Sequence, residues 1–268
     1  MKRPPRRSVR ADPGGVAYPA PDIAAQHEAL ATRIIQDRMD TFTKALSLPD
    51  DGAPVIGSQP DFKALYVVVR ESYEVFDSLM GELELDPPLA CQSGCIHCCY
   101  NQVSLTAPEA LFLGFHLVET RGPEQLQALE ARARALVASL NGKSREEMGM
   151  ERHLYPCLFL EQGSCSVYPA RPLVCRGWNS VNMDMCMLSN QFGDALALIE
   201  NHPLPRLLAE SVQLGLLHGA NGLGLEAGYL LLARAMSLLL DGGLEKNLLE
   251  CTGHWLSGGP FFARNRAW

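Results

Sequence analysis

Eight of the nine cysteines in this 268-residue chain fall into two short windows. The first reads Cys91-Gln-Ser-Gly-Cys95-Ile-His-Cys98-Cys99. The second spaces Cys157, Cys165, Cys175 and Cys186 with seven, nine and ten residues between them. Thiolates are soft ligands that favour zinc, Cu(I) or iron–sulfur centres. Glycine and short spacers let the sulfurs of the first window converge on one point. The longer gaps of the second need turns to fold them back, and Gln162-Gly163-Ser164 offers one. A single cysteine is more often a small buried hydrophobe. Eight in two windows, among polar neighbours, read as metal ligands. Adjacent side chains of an extended backbone point to opposite faces, so Cys98 and Cys99 are expected to play unequal parts. No apolar stretch follows the charged N-terminus as a signal peptide requires. A cytoplasmic, reducing setting is therefore expected, where thiols persist and disulfides do not.

The second window continues into a longer motif. It runs Cys157-Leu-Phe-Leu-x4-Cys165-Ser-Val-Tyr168-Pro-Ala-Arg171-Pro172-Leu-Val-Cys175-Arg176. With Cys-x3-Cys-x2-Cys-Cys at Cys91–Cys99 and the short segment of Thr106, Pro108 and Glu109, it resembles the bacterial YkgJ-type cysteine-cluster proteins. These are described as a zinc- or iron-chelating domain. The resemblance covers about residues 86–190 and implies metal chelation, with iron (as an iron–sulfur cluster) or zinc as the cofactor. Four thiolates around a zinc ion, or around an oxidised four-iron cluster, leave about two units of negative charge. Arg171 and Arg176 flank Cys175 and are candidates to donate to sulfur and offset that charge. Tyr168 and Pro172 are expected to shape the turn.

Other signals compete less well. The spacing Cys91-x3-Cys95-x2-Cys98 also matches that of radical S-adenosylmethionine enzymes, which need a barrel of alternating strands and helices that the sequence does not suggest. The flagellin lysine-N-methylase is similar to this chain in its cysteine-rich segment, so an iron-dependent modification enzyme is the alternative to a structural or redox protein. His97 and His153 are secondary imidazole candidates, since zinc accepts nitrogen. Cys251, far from the rest, is expected to be buried and inert. Gly222-Leu-Gly224-Leu-Glu-Ala227 fits a dinucleotide-binding pattern, but what precedes it reads as helix where that fingerprint needs a strand.

The elements around the cysteines are helical by pattern. Residues 23–85 carry apolar residues at three- and four-residue steps, with a Pro/Gly linker at 49–60. Tyr66–Val69 is the one stretch there that also suits a strand. Thr106-Ala-Pro-Glu109 has the form of a capping box, and Gly122-Pro123 opens a further helix that Asn141-Gly142 closes. Helical segments near 204–218 and 225–240 follow, and no alternating strand run is visible. The expected fold is mainly α, with helices flanking irregular cysteine-rich metal-binding loops. Four parts are expected: a disordered basic tail (1–22), N-terminal helices (23–85), the cysteine-cluster region (86–190) and C-terminal helices packing on the same domain (191–268). A hydrophobic share of 47% is enough for a core, and a net charge of −7 argues against nucleic acid as a partner. The longest apolar run, Ala227–Leu240, contains Arg234 and falls short of the roughly 20 residues that a membrane span needs. A protein or small-molecule partner is left unnamed by these patterns.

Overall fold

The computed structural model describes residues 19–47, 62–92, 94–191 and 198–261. Most of the expected basic tail and the whole 49–60 linker lie outside them. The amphipathic runs at the front form α1 (Pro21–Leu46) and α2 (Phe62–Gly81), so Tyr66–Val69 is helix. The face of α2 predicted to be apolar is the buried one, with Leu65, Val69, Ser72 and Phe76 all inside. Short strand β1 (Ser104–Thr106) leads into α3 (Ala107–Thr120), whose N-terminus carries the expected capping box of Thr106 and Glu109. Then come α4 (Pro123–Leu140), α5 (Arg145–Met150), the hairpin strands β2 (Leu160–Glu161) and β3 (Ser164–Cys165), α6 (Leu173–Gly177) and α7 (Met183–Gln191). The chain ends with α8 (Pro203–Gly222), β4 (Tyr229–Leu231), α9 (Leu232–Leu240) and α10 (Leu244–Leu256).

Close packing of α1 against α8 anchors the core, and two glycines one turn apart permit it. A β-carbon on Gly215 would lie 2.5 Å from that of Arg38, and one on Gly219 would lie 2.8 Å from the Phe42 ring. The approach fully buries Phe42. A side chain of that size contributes roughly 1.5–3 kcal/mol by leaving water. Helices α3, α9 and α10 pack together on the other side, with Trp255 fully buried and its indole N–H donating to Glu226 O at 2.9 Å. Cys251 lies in this core on α10.

The structure corrects or extends the expected pattern at three places. The expected 225–240 helix begins only at Leu232. Residues 225–228 are irregular, and Tyr229–Leu231 pairs antiparallel with β1, Leu230 opposite Leu105. Each of these strands runs straight into a helix, so the pair sets α3 and α9 side by side. Secondly, α10 follows a turn at Gly242 and Gly243 with φ of +75° and +125°, conformations that favour glycine. Thirdly, Gln162-Gly163 forms the predicted turn within a true hairpin, both residues left-handed (φ 49° and 74°), which matches strand twist. Gly222 ends α8, so the glycine pattern at 222–227 follows a helix and lacks the strand a dinucleotide site requires. Among the described residues no helix is long and apolar enough to cross a membrane.

Candidate metal centre

The first cysteine window is a chain of turns pinned at both ends. The Ala90 N–H donates to Ser180 O at 2.9 Å, and the Cys95 N–H donates to Gln92 O at 3.0 Å across Gly94, whose φ is +84°. His97–Tyr100 closes into one turn of 3₁₀ helix. Its bonds, Cys99 N–H to Ile96 O and Asn101 N–H to Cys98 O, measure 2.9 and 3.1 Å. Cys98 and Cys99 therefore stand on a helical turn, not an extended strand, and their thiols are hydrogen-bonded to each other. The turn removes the extended backbone from which unequal parts for Cys98 and Cys99 were expected.

Neighbouring helices hold the second window against the first. The Cys157 N–H donates to Cys99 O at 2.6 Å. From α4, Arg132 bonds Glu161 at 2.7 Å and also reaches the Leu158 carbonyl, while Arg121 donates to Ser166 O at 3.0 Å. These two arginines grip the β2–β3 hairpin that ends in Cys165. Cys175 rides on α6, whose first amide, Leu173 N–H, donates to Glu109 at 2.9 Å. Glu109 is wholly buried and also accepts from Thr106, from Gln213 at 2.7 Å and from Tyr73 at 3.5 Å. One carboxylate thus joins α2, α3, α6 and α8. At the far end of α6, Gly177 packs on α8 so closely that a β-carbon would lie 2.6 Å from that of Ala209.

The outcome is a cavity of about 450 Å³ lined by Cys91, Cys95, Cys98, Cys99, Cys157, Cys165 and Cys175, with Arg171 and Arg176 in its wall. Cys186, on α7, lines a neighbouring cavity of about 80 Å³ that Cys91, Cys95, Cys98 and His97 share. None of the nine cysteines is in a disulfide. His153 is exposed and lines neither space.

Burial and crowding favour the protonated form at six of these thiols. Burial raises Cys91, Cys165, Cys175 and Cys186, and pushes Cys157 up to about 11. For Cys98 the hydrogen bond to the Cys99 thiol raises it most, with burial second. Arg171 works the other way at Cys98, Cys165 and Cys175, favouring the thiolate at each. Its guanidinium stacks 4.1 Å above the Tyr168 ring, and its Nε is buried with no acceptor among the described residues. Arg176 has other partners. It donates to Arg171 O at 2.9 Å, to both oxygens of Asp77 at 2.8 and 2.6 Å and to Pro169 O at 2.5 Å, over the face of Tyr73.

Among the described residues no three Cys, His, Asp or Glu side chains are already gathered around one point. The donor set nonetheless fits a thiolate-bound metal. Seven of the eight clustered cysteines line one space, and the buried Arg171 Nε in its wall is a donor without an acceptor among the described residues. Supporting residues that sequence reasoning did not single out include Ser180, which accepts from Ala90, and His202, whose Nε2 pairs with Pro87 O at 2.8 Å at the entry to the first window. Their signal is tertiary, across 89 or more residues of chain, and no local pattern carries it.

Residues 90–193 match the family model described as "CxxCxxCC: Putative zinc- or iron-chelating domain". This is the cysteine-cluster family whose motifs the chain resembles, and the matched segment, under half of the chain, holds all eight clustered cysteines. No curated protein and no solved structure matches the chain.

Proposed function

We propose that this protein carries a thiolate-bound iron–sulfur cluster in a structural or electron-transfer role, with its ligands drawn from Cys91, Cys95, Cys98, Cys99, Cys157, Cys165, Cys175 and Cys186. The observation that carries the reading is the cavity of about 450 Å³ lined by seven thiols and by Arg171 with its unpartnered buried Nε. A lone zinc ion needs no such volume, whereas a cluster of several irons and sulfides does, and its net negative charge suits a buried guanidinium. When bound, the cluster supplies one-electron chemistry. The chain's own part is to hold thiols in a space walled by helices and to set the charge around them. Hydrogen bonds and burial are the levers by which a protein tunes such a centre.

The test is purification of the full chain without oxygen, followed by iron, zinc and acid-labile sulfide analysis with a visible spectrum. A brown protein with stoichiometric iron and sulfide supports the reading. A colourless protein with zinc alone would assign zinc to the thiols, and a metal-free one would remove the metal altogether.

A further inference from the structure

Cys186 stands apart from the larger cavity. It lines only the smaller one, with Cys91, Cys95, Cys98 and His97, and His97 likewise does not line the larger. Ser180 ties this group together. It is buried, its carbonyl accepts from the Ala90 N–H and, at 3.9 Å, from the Cys91 thiol, and its side chain bonds Cys186. The helix that carries Cys186 packs on the His97–Tyr100 turn. Electrostatic neighbours divide in the same way except for Cys98, which acts on both groups. Cys91 feels Cys95, Cys98 and Cys186, whereas Cys175 feels Cys157, Cys98 and Cys165. Cys91, Cys95 and Cys98 border both spaces, but Arg171, whose charge acts on Cys98, lines only the larger one.

We infer that the chain has a second, separate metal site: a single zinc-type ion held by Cys91, Cys95, His97 and Cys186, beside an inner centre held by Cys98, Cys157, Cys165 and Cys175. Three thiolates and one imidazole form a closed, tetrahedral donor set of the kind that structural zinc sites use. A space of about 80 Å³ between these donors has room for one ion and is far smaller than the inner cavity. Cys99 belongs to neither set, its thiol being held against Cys98. The outer ion would staple the first window to α7, a span that Arg152 also bridges by bonding Asn101 and Ser189. This inference rests on the proposed function only in taking the inner thiols as ligands of a different centre.

The experiment measures zinc, iron and sulfide per chain in the full-length protein, unmodified and as Cys186→Ser, His97→Ala, His97→Cys and Cys175→Ser. The unmodified chain is expected to hold one zinc in addition to its inner metal. Cys186→Ser and His97→Ala lose that zinc, with affinity falling by more than about 100-fold, beyond the loss typical of a supporting residue. Both keep the inner metal, and His97→Cys keeps the zinc. Cys175→Ser loses the inner metal and keeps the zinc. If Cys186→Ser does not fold by circular dichroism, His97→Ala and its His97→Cys rescue decide alone. The inference is overturned if the unmodified chain takes up no zinc from solution, if the zinc survives His97→Ala, or if folded variants lose both metals together. Zinc in both sites would defeat the iron–sulfur reading and leave this inference standing, provided that His97→Ala and Cys175→Ser each remove a different zinc.

Discussion

Arg171 and Arg176 flank one cysteine, and the sequence treats them alike, yet the fold gives them different partners. The side chain of Arg176 is only 7% exposed, and it clamps Asp77 and two backbone carbonyls, so Arg176→Ala strips partners from several groups at once. Leaving such groups unpaired costs roughly 1–3 kcal/mol. The expected result is a melting temperature lower by several degrees with the metal-to-protein ratio unchanged. Arg171→Ala should do the reverse, because its Nε has no partner among the described residues and its charge acts on Cys98, Cys165 and Cys175: metal affinity falls by roughly 10–100-fold and the metal-free melting temperature barely moves. Metal titration and melting curves on both variants check the pair, and equal metal loss in the two would contradict the division. The thiols add a pH dependence of defined sign. Cys157 is held up to about 11 by burial, above its ordinary 9.0, so folding of the metal-free chain favours the protonated form. That contribution is complete below about pH 9 and is lost as the pH rises towards 11, because the unfolded chain releases its proton first. Melting of metal-free protein should therefore fall across that window, and a flat curve would show that Cys157 is not so held. Metal binding displaces the same protons, so affinity rises with pH over the same range.

The element that matters most for the site is α6, because it carries Cys175 and is gripped at both ends. Glu109 receives its first amide, and Gly177 fits its last turn against Ala209 and Pro205. Glu109→Ala would leave Leu173, Gln213 and Thr106 without their shared acceptor, at a cost on the order of 3 kcal/mol, and would reduce bound metal without Glu109 touching it. Glu109→Gln keeps part of the network and should recover part of the metal content. Gly177→Ala must shift α6 away from α8, and the expected sign is again metal loss, measured as metal per folded chain. Full metal retention in Glu109→Ala would show that α6 is held by other means. The capping box that places Glu109 was legible, as were α1 to α4, because caps and helical periodicity are local signals. Its bonds to Leu173 and Gln213 were not, since they join residues 64 and 104 positions apart. Strands β1 and β4, three residues each, are too short to show alternation and exist by pairing with each other. That pairing overrode the helical pattern before Leu232.

At the scale of the molecule, two kinds of structure share one chain. The helices bury a continuous apolar core, while the cysteine loops contribute few residues to it: Leu158, Phe159, Val167, Ala170 and Leu173 are the buried apolar members of the second window. Loops so thinly anchored gain order from ligation, and metal-binding energy there becomes folding energy. Hydrogen exchange before and after chelation should show faster exchange in the loops of the two cysteine windows with α1, α8 and α10 unchanged. Unchanged protection in those loops would mean that metal is not their organiser. The sequence carried the clustering of the cysteines in irregular loops between helices. It did not carry the presence of two neighbouring cavities, of which Cys186 on α7 lines only the smaller. The central claim is that clustered sulfurs hold the metal, and X-ray absorption at the metal edges of the anaerobically purified chain tests it most directly. The account predicts a sulfur-dominated shell, at about 2.3 Å for any zinc–sulfur bonds, that diminishes in Cys175→Ser. A shell of oxygen or nitrogen alone, unaltered by that substitution, would contradict it.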